Sequence, residues 1–246
     1  MQTLTEEVFH LAPPGGLFDD SVVKNLFPNL SDGARNLLLH RAVRHGEVLR
    51  LKRGLFCLNQ SYRKTPLHPF VVAAALHSPS HVSFESALAY HGLIPEAVFQ
   101  IGCATTERTR SFMTPLGKFT FTRVPTRQPR AGVRAEQLDL HGWAFVASPL
   151  RAIADLVYMR RDASADLRAP NGHELGRHAD TVSMPVRRNL RRGGEEAALD
   201  FLIHSMRIEE DDLARIPTEE FKEIRTAFRN RRVLGFLANL HRSLHG

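Results

Sequence analysis

Apolar positions along this chain recur with two periods, and the switches between them mark out its elements. Leu4, Val8 and Leu11 repeat at helical spacing, Thr3 or Thr5 can cap that helix, and Pro13-Pro14-Gly15-Gly16 stops it. Val22, Val23 and Leu26 give one apolar side to a short helix over Asp20–Leu26, which Asp19 or Asp20 can cap. Pro28 closes it, since proline has no N–H and clashes with the preceding turn, and Phe27 before it is pushed towards extended backbone. Ser31 then caps a second helix, with Asp32 at its positive end. Ala34, Leu37, Leu38 and Ala42 recur at helical spacing in it and are expected to face the core. Gly46 ends this helix. Val48, Leu49 and Leu51, then Leu55, Phe56 and Leu58, form two short apolar runs that meet at Lys52-Arg53-Gly54. Helix, turn, helix and two-stranded wing is the order of a winged helix-turn-helix, expected over residues 1–64 with a polar linker at its end.

The remainder, 65–246, mixes both periods. Helices are expected around Phe70–Leu76 and over Ser83–His91, the second ended by Gly92. Val98–Thr105 is β-branched and apolar and reads as a strand. Phe112–Phe119 reads as strand, turn, strand, with Pro115 and Gly117 in the turn and Phe119 and Phe121 alternating against Thr120 and Thr122. Leu138–Val146 is a further strand region. Ser148 caps a helix with Pro149 at its first position, and Leu150, Ile153, Ala154 and Val157 make one face of it. Residues 162–194 hold Pro170, Asn171, Gly172 and Pro185 and read as a long loop or a partly disordered insert. Helices resume over Glu195–Met206, near Asp211–Ala214, and over Thr218–Leu244 with Thr218 as cap. The expected fold class is α+β: an N-terminal winged helix-turn-helix followed by a mixed α/β domain with a helical C-terminal tail.

Charge sharpens the first domain. The whole chain of 246 residues carries a formal +7. From Lys24 to Lys64 there are nine Lys/Arg and two Asp/Glu, so this one segment holds a net +7 and the rest balances. A basic segment of this kind favours phosphate through counterion release. Arg and Asn near the start of a recognition helix suit bidentate reading of guanine and adenine. The expected DNA contacts are Arg35, Asn36, His40, Arg41 and Arg44 on the second helix, with Lys52 and Arg53 on the wing. The alternative for this segment is a basic, solvated helical hairpin.

Other constellations are weaker. Arg108, Arg110, Lys118 and Arg123 form a second basic group, and alternation would put Arg108 and Arg110 on one face. It reads equally as a second phosphate contact, a surface for an acidic partner, or a solvated sheet face. Ser83, Glu85, Tyr90 and His91 tempt towards catalysis, but Glu85 and His91 are six apart and do not share a helical face, so a structural role is expected. His173 and His178, with Glu174 and Asp180, lack metal-ligand spacing, and no paired-cysteine or HExxH pattern occurs. No phosphate-binding glycine loop is present. No metal or cofactor is therefore expected. A metal-dependent nuclease would need clustered acids. Glu136, Asp139 and Asp155 are scattered, and an ion pair with Arg151 accounts more simply for Asp155. Cys57 and Cys103 fit a reducing compartment. The opening MQTLTEEVFHLAPPGG has neither a basic n-region nor a long apolar run, and no stretch has the length to span a bilayer. A cytoplasmic protein without membrane contact is expected.

The central block resembles a known family. VSFESALAYHGLIPEAVFQI, TTERTRSFMTPLGKFTFTRV and ASPLRAIADLVYMR are similar, in that order, to the successive motifs of the AbiEi antitoxins of abortive-infection type E systems, also described as predicted transcriptional regulators of viral defence systems. The run SMRIEEDDLARI and the later FRNRRVLGFL resemble the family's tail. The connection at 162–192 departs from it by being longer. The resemblance implies a non-enzymatic antitoxin with an N-terminal winged helix. Such a protein represses its own operon at inverted repeats in double-stranded DNA. It counters a cognate nucleotidyltransferase-type toxin without a stable toxin complex. The competing classes are a DNA-binding, metal-dependent nuclease and a pure protein-interaction module.

Overall fold

The computed structural model describes residues 3–95, 99–138, 142–166 and 195–245. The chain is mixed α and β. It divides into two compact units, one of Met1–Val82, Phe99–Arg123 and Arg134–Val146, the other of Ser83–Val98, Val124–Val133 and Ala147–Gly246. This interleaved division differs from the single boundary expected between residues 64 and 65. The reason is sheet pairing: strand Ser80–Val82 of the first segment pairs with strands that come much later in the chain.

The first unit begins with α1 (Leu4–Leu11), where Thr3 and Glu6 form a reciprocal capping box. A 3-10 turn at Pro14–Gly16 leads into β1 (Leu17–Asp19), α2 (Asp20–Leu26), α3 (Asp32–Arg44), β2 (Val48–Lys52) and β3 (Leu55–Leu58). The three strands form an antiparallel sheet in the order β1-β3-β2. β1 is invisible to periodicity because it is three residues long and exists by pairing with β3, where Phe18 stacks on Phe56 at 5.7 Å. Leu4, Val8, Val23 and Leu39 join these rings in one apolar core. Gly46, at φ +71°, takes the left-handed conformation that ends α3. Asn59 then fastens that corner, its Nδ2 donating to the Gly46 carbonyl at 2.7 Å and its N–H to the Glu47 carbonyl at 2.8 Å. The Thr5 hydroxyl donates to Glu47 at 2.5 Å, tying α1 to the same corner.

The same unit continues through α4 (Pro69–Leu76), β4 (Ser80–Val82), β5 (Gln100–Thr105), β6 (Arg110–Thr114), β7 (Gly117–Arg123), β8 (Val133–Gln137) and β9 (Trp143–Ala147). These strands form one six-stranded sheet in the order β6-β7-β5-β4-β9-β8. It is mixed: β6–β7 and β4–β5 are antiparallel, β5–β7 and β4–β9 parallel. The expected hairpin is present, with Thr114 opposite Gly117 and Phe112 opposite Phe119.

The second unit holds α5 (Phe84–Tyr90), α6 (Pro149–Asp166), α7 (Glu195–Asp200), a π-helical turn at Phe201–Ser205, α8 (Glu210–Ala214), α9 (Thr218–Ala227) and α10 (Arg231–His245). Three expectations are corrected here. Residues 162–166 continue α6 rather than opening a loop, while 167–194 lie outside the described residues. The helix expected over Thr218–Leu244 is two helices. Phe228 is extended, and Asn230 caps α10 by accepting from the Arg232 and Val233 N–H groups at 2.9 and 3.3 Å. At the first break the residue before α9 is Pro217, so Thr218 is its first helical residue and not its cap.

The core of this unit contains a buried ion pair. Arg151 Nε donates to Asp155 Oδ1 at 3.0 Å, and the two side chains are 1% and 0% exposed. The Ser83 hydroxyl donates to the other Asp155 oxygen at 2.8 Å. Arg151 also donates to the Ala131 carbonyl at 2.7 Å and lies over the Phe228 ring. Pairing of Asp155 with Arg151, expected from the spacing, is thus observed. Ser83, in the N-cap position of α5, makes no side-chain cap.

Candidate nucleic-acid interface

α3 is set by chemistry at both ends. Ser31 Oγ accepts from the Ala34 N–H at 3.2 Å to start it, and Gly46 releases the chain after it. Leu39 and Ala42 are buried, with Leu38 and Val43 packed beside them. Leu37, expected in the core, is instead 49% exposed. Three consecutive leucines leave the phase open, and the core formed with Val23 and Phe56 accepts Leu39 and Leu38.

Asn36, Leu37, His40, Arg41 and Arg44 are exposed and recur at i, i+3 and i+4, so they form one solvent-facing row. His45 follows it, also exposed. Among the described residues, the side chains of Asn36, His40, Arg41 and Arg44 have no hydrogen-bond or ion-pair partner. Their donors face water, which is the state in which a phosphate or base edge can take them up. Arg41 and Arg44 occupy the last turn, where a cation also complements the helix dipole.

Two of the expected contacts are spent inside the protein. Arg35 does not join the row: its side chain is 12% exposed. Its Nη1 donates to the Phe27 carbonyl at 3.0 Å and to the Leu30 carbonyl, and its Nη2 to Asp32. It braces the turn between α2 and α3, where the Phe27 carbonyl also accepts from the Leu30 N–H at 3.2 Å. The Asp32 carboxyl is held below its ordinary range by this hydrogen bond and the charge behind it. Lys52 is corrected likewise. Its Nζ donates to the Ala75 and Leu76 carbonyls at 3.2 and 2.6 Å, closing the C-terminus of α4. Burial, then the nearby Arg110, lowers the pKa of this ammonium.

Arg53 remains exposed at the turn between β2 and β3, where Gly54 has φ +74°. That φ is what calls for glycine, and the Asp20 carboxylate lies beside the turn, 3.0 Å from where a Cβ at Gly54 would stand. Arg50 on β2 is a further exposed cation that the sequence pattern did not single out.

The second basic group does not form one surface. Arg108 precedes β6 in the loop, and Arg110 is the first residue of that strand. Arg110 pairs with Phe121 and Met113 with Lys118, so strand alternation puts Lys118 on the opposite face of the hairpin from Arg110. Arg123 shares the parity of Phe121 and lies with Arg110. Arg110 also lowers the pKa of His77, whose own burial is the larger cause.

Ser83, Glu85 and His91 of the SFESALAYH run are dispersed. Ser83 meets Asp155, Glu85 supports the charge of Arg160, and His91 Nε2 contacts the Ala147 carbonyl at 2.8 Å. Among the described residues no group of three or more His, Cys, Asp or Glu is placed to hold a metal ion. His173, Glu174, His178, Asp180 and Asp139 lie outside the described residues. Cys57 and Cys103 are free and buried, and burial raises both thiols, Cys57 to about 11. Among the described residues no helix is long and apolar enough to cross a membrane. Compared with models of known families the sequence finds no match, and no curated protein matches it.

Proposed function

We propose that this protein is a sequence-specific binder of double-stranded DNA, that residues 1–64 act as a winged helix-turn-helix, and that α3 is its recognition helix. The observation that carries the reading is the exposed row Asn36, His40, Arg41 and Arg44 on a helix whose other side is packed into a core. A 13-residue helix with one free, cationic face fits the width of a major groove. Arg53 supplies a phosphate contact at the wing. Arg35 and Lys52 are withdrawn from the contact set. The motif resemblance extends the proposal: the protein represses its own operon at inverted repeats, in the cytoplasm, and neutralises a nucleotidyltransferase-type toxin without a stable complex. It needs no cofactor for this.

The test is a mobility-shift assay on the promoter of its own gene against random duplex, over a range of salt. Specific retention is expected, and Asn36→Ala should relax preference at one base position while Arg53→Ala weakens both duplexes alike. Equal loss on both duplexes for both variants would remove the assigned roles. Mg²⁺-dependent cleavage of the bound promoter would replace the repressor by the nuclease. Indifference to DNA at low salt would leave an interaction module.

A further inference from the structure

We propose that Leu37 reads the C5-methyl group of a thymine in the operator. The inference rests on α3 being the recognition helix and adds a specificity determinant to it. Single exposed leucines are ordinary on protein surfaces. Leu37 differs by its place: it is 49% exposed in the middle of the polar row, beside Asn36 and one turn before His40 and Arg41. Its neighbours Leu38 and Leu39 turn inward, so the core has no use for it. In the major groove the bases offer one apolar group, the thymine methyl, while cytosine offers an amino donor at the equivalent edge. A branched aliphatic side chain entering that groove therefore favours thymine and leaves the cytosine amine without an acceptor. With Asn36 suited to adenine, the half-site facing the middle of α3 is expected to hold A·T pairs.

Deoxyuridine in place of thymine removes the methyl and nothing else. Each thymine of the bound promoter site is replaced in turn, and Kd is measured for the wild type and for Leu37→Ala. For the wild type, one thymine per half-site should weaken binding about three- to fivefold on replacement, the effect of losing one buried methyl. Leu37→Ala should bind the thymine site more weakly by a similar factor and be indifferent to that replacement. Its thermal unfolding should match the wild type, separating lost contact from lost fold. If no thymine position responds, or if Leu37→Ala keeps the full response, the inference is overturned while DNA binding stands. If neither protein binds duplex DNA, the recognition-helix reading falls and takes the inference with it.

Discussion

α3 and α6 both carry arginines, and they use them in opposite ways. On α6, Arg151 is enclosed, and its guanidinium meets Asp155, the Ala131 carbonyl and the Phe228 ring. On α3, the side chains of Arg41 and Arg44 face solvent and have no hydrogen-bond or ion-pair partner among the described residues. A buried guanidinium without its carboxylate is an uncompensated charge, so the first arrangement is committed to the fold. An exposed arginine can be removed with little effect on stability, so the second is at the disposal of a partner. Arg35 and Lys52 show that the distinction cannot be drawn from charge alone. They lie in the same basic segment as Arg41 and Arg53, yet their donors close helix ends.

The comparison breaks most sharply at Asp155. Asp155→Ala leaves Arg151 buried and unpaired and should lower unfolding free energy by about 3–5 kcal/mol. Replacing both partners together by apolar residues of similar volume should recover most of that, as read by denaturant unfolding. An Asp155→Ala variant as stable as the wild type would mean that the pair is not the organising contact of that core. Arg35→Ala and Lys52→Ala come next, each expected to cost about 1–2 kcal/mol for lost bonds to helix-end carbonyls. Neither should change the slope of DNA affinity against salt. Arg53→Ala should do the reverse, lowering that slope by about one unit with unchanged melting. An Arg35 or Lys52 variant that melts normally but loses salt dependence would return those residues to the DNA surface.

The smallest effect concerns pH. His77 packs on Phe121 at 5.1 Å, and burial, with Arg110 and Lys52 nearby and Glu107 opposing, lowers its pKa from 6.5. The unfolded chain then binds the proton more readily than the folded one. Stability is thus complete above pH 6.5 and declines as pH falls from 6.5 through the folded value. His77→Gln should flatten that part of the profile. An unchanged profile would assign the decline to other groups.

Much of this was legible where a local rule fixes the outcome. Ser31, Gly46, Gly54 and Pro149 each act within a turn of themselves, and the elements they bound are present. What escaped depends on partners far along the chain or on a choice among equals. Lys52 meets carbonyls 23 and 24 residues away. β1 exists only against β3. Leu37-Leu38-Leu39 offers the core three leucines, and composition does not say which one turns outward. The break at Phe228 was readable, since Asn230 is a capping residue type and no apolar residue falls between Phe228 and Val233.

The central claim is that the exposed face of α3 meets a duplex. Its most direct test is the affinity of Arg41→Ala/Arg44→Ala for promoter DNA, measured against salt beside the wild type. The account predicts a slope smaller by about two units, with weaker binding and unchanged melting. An unchanged slope, or a wild type that ignores the duplex at low salt, contradicts it.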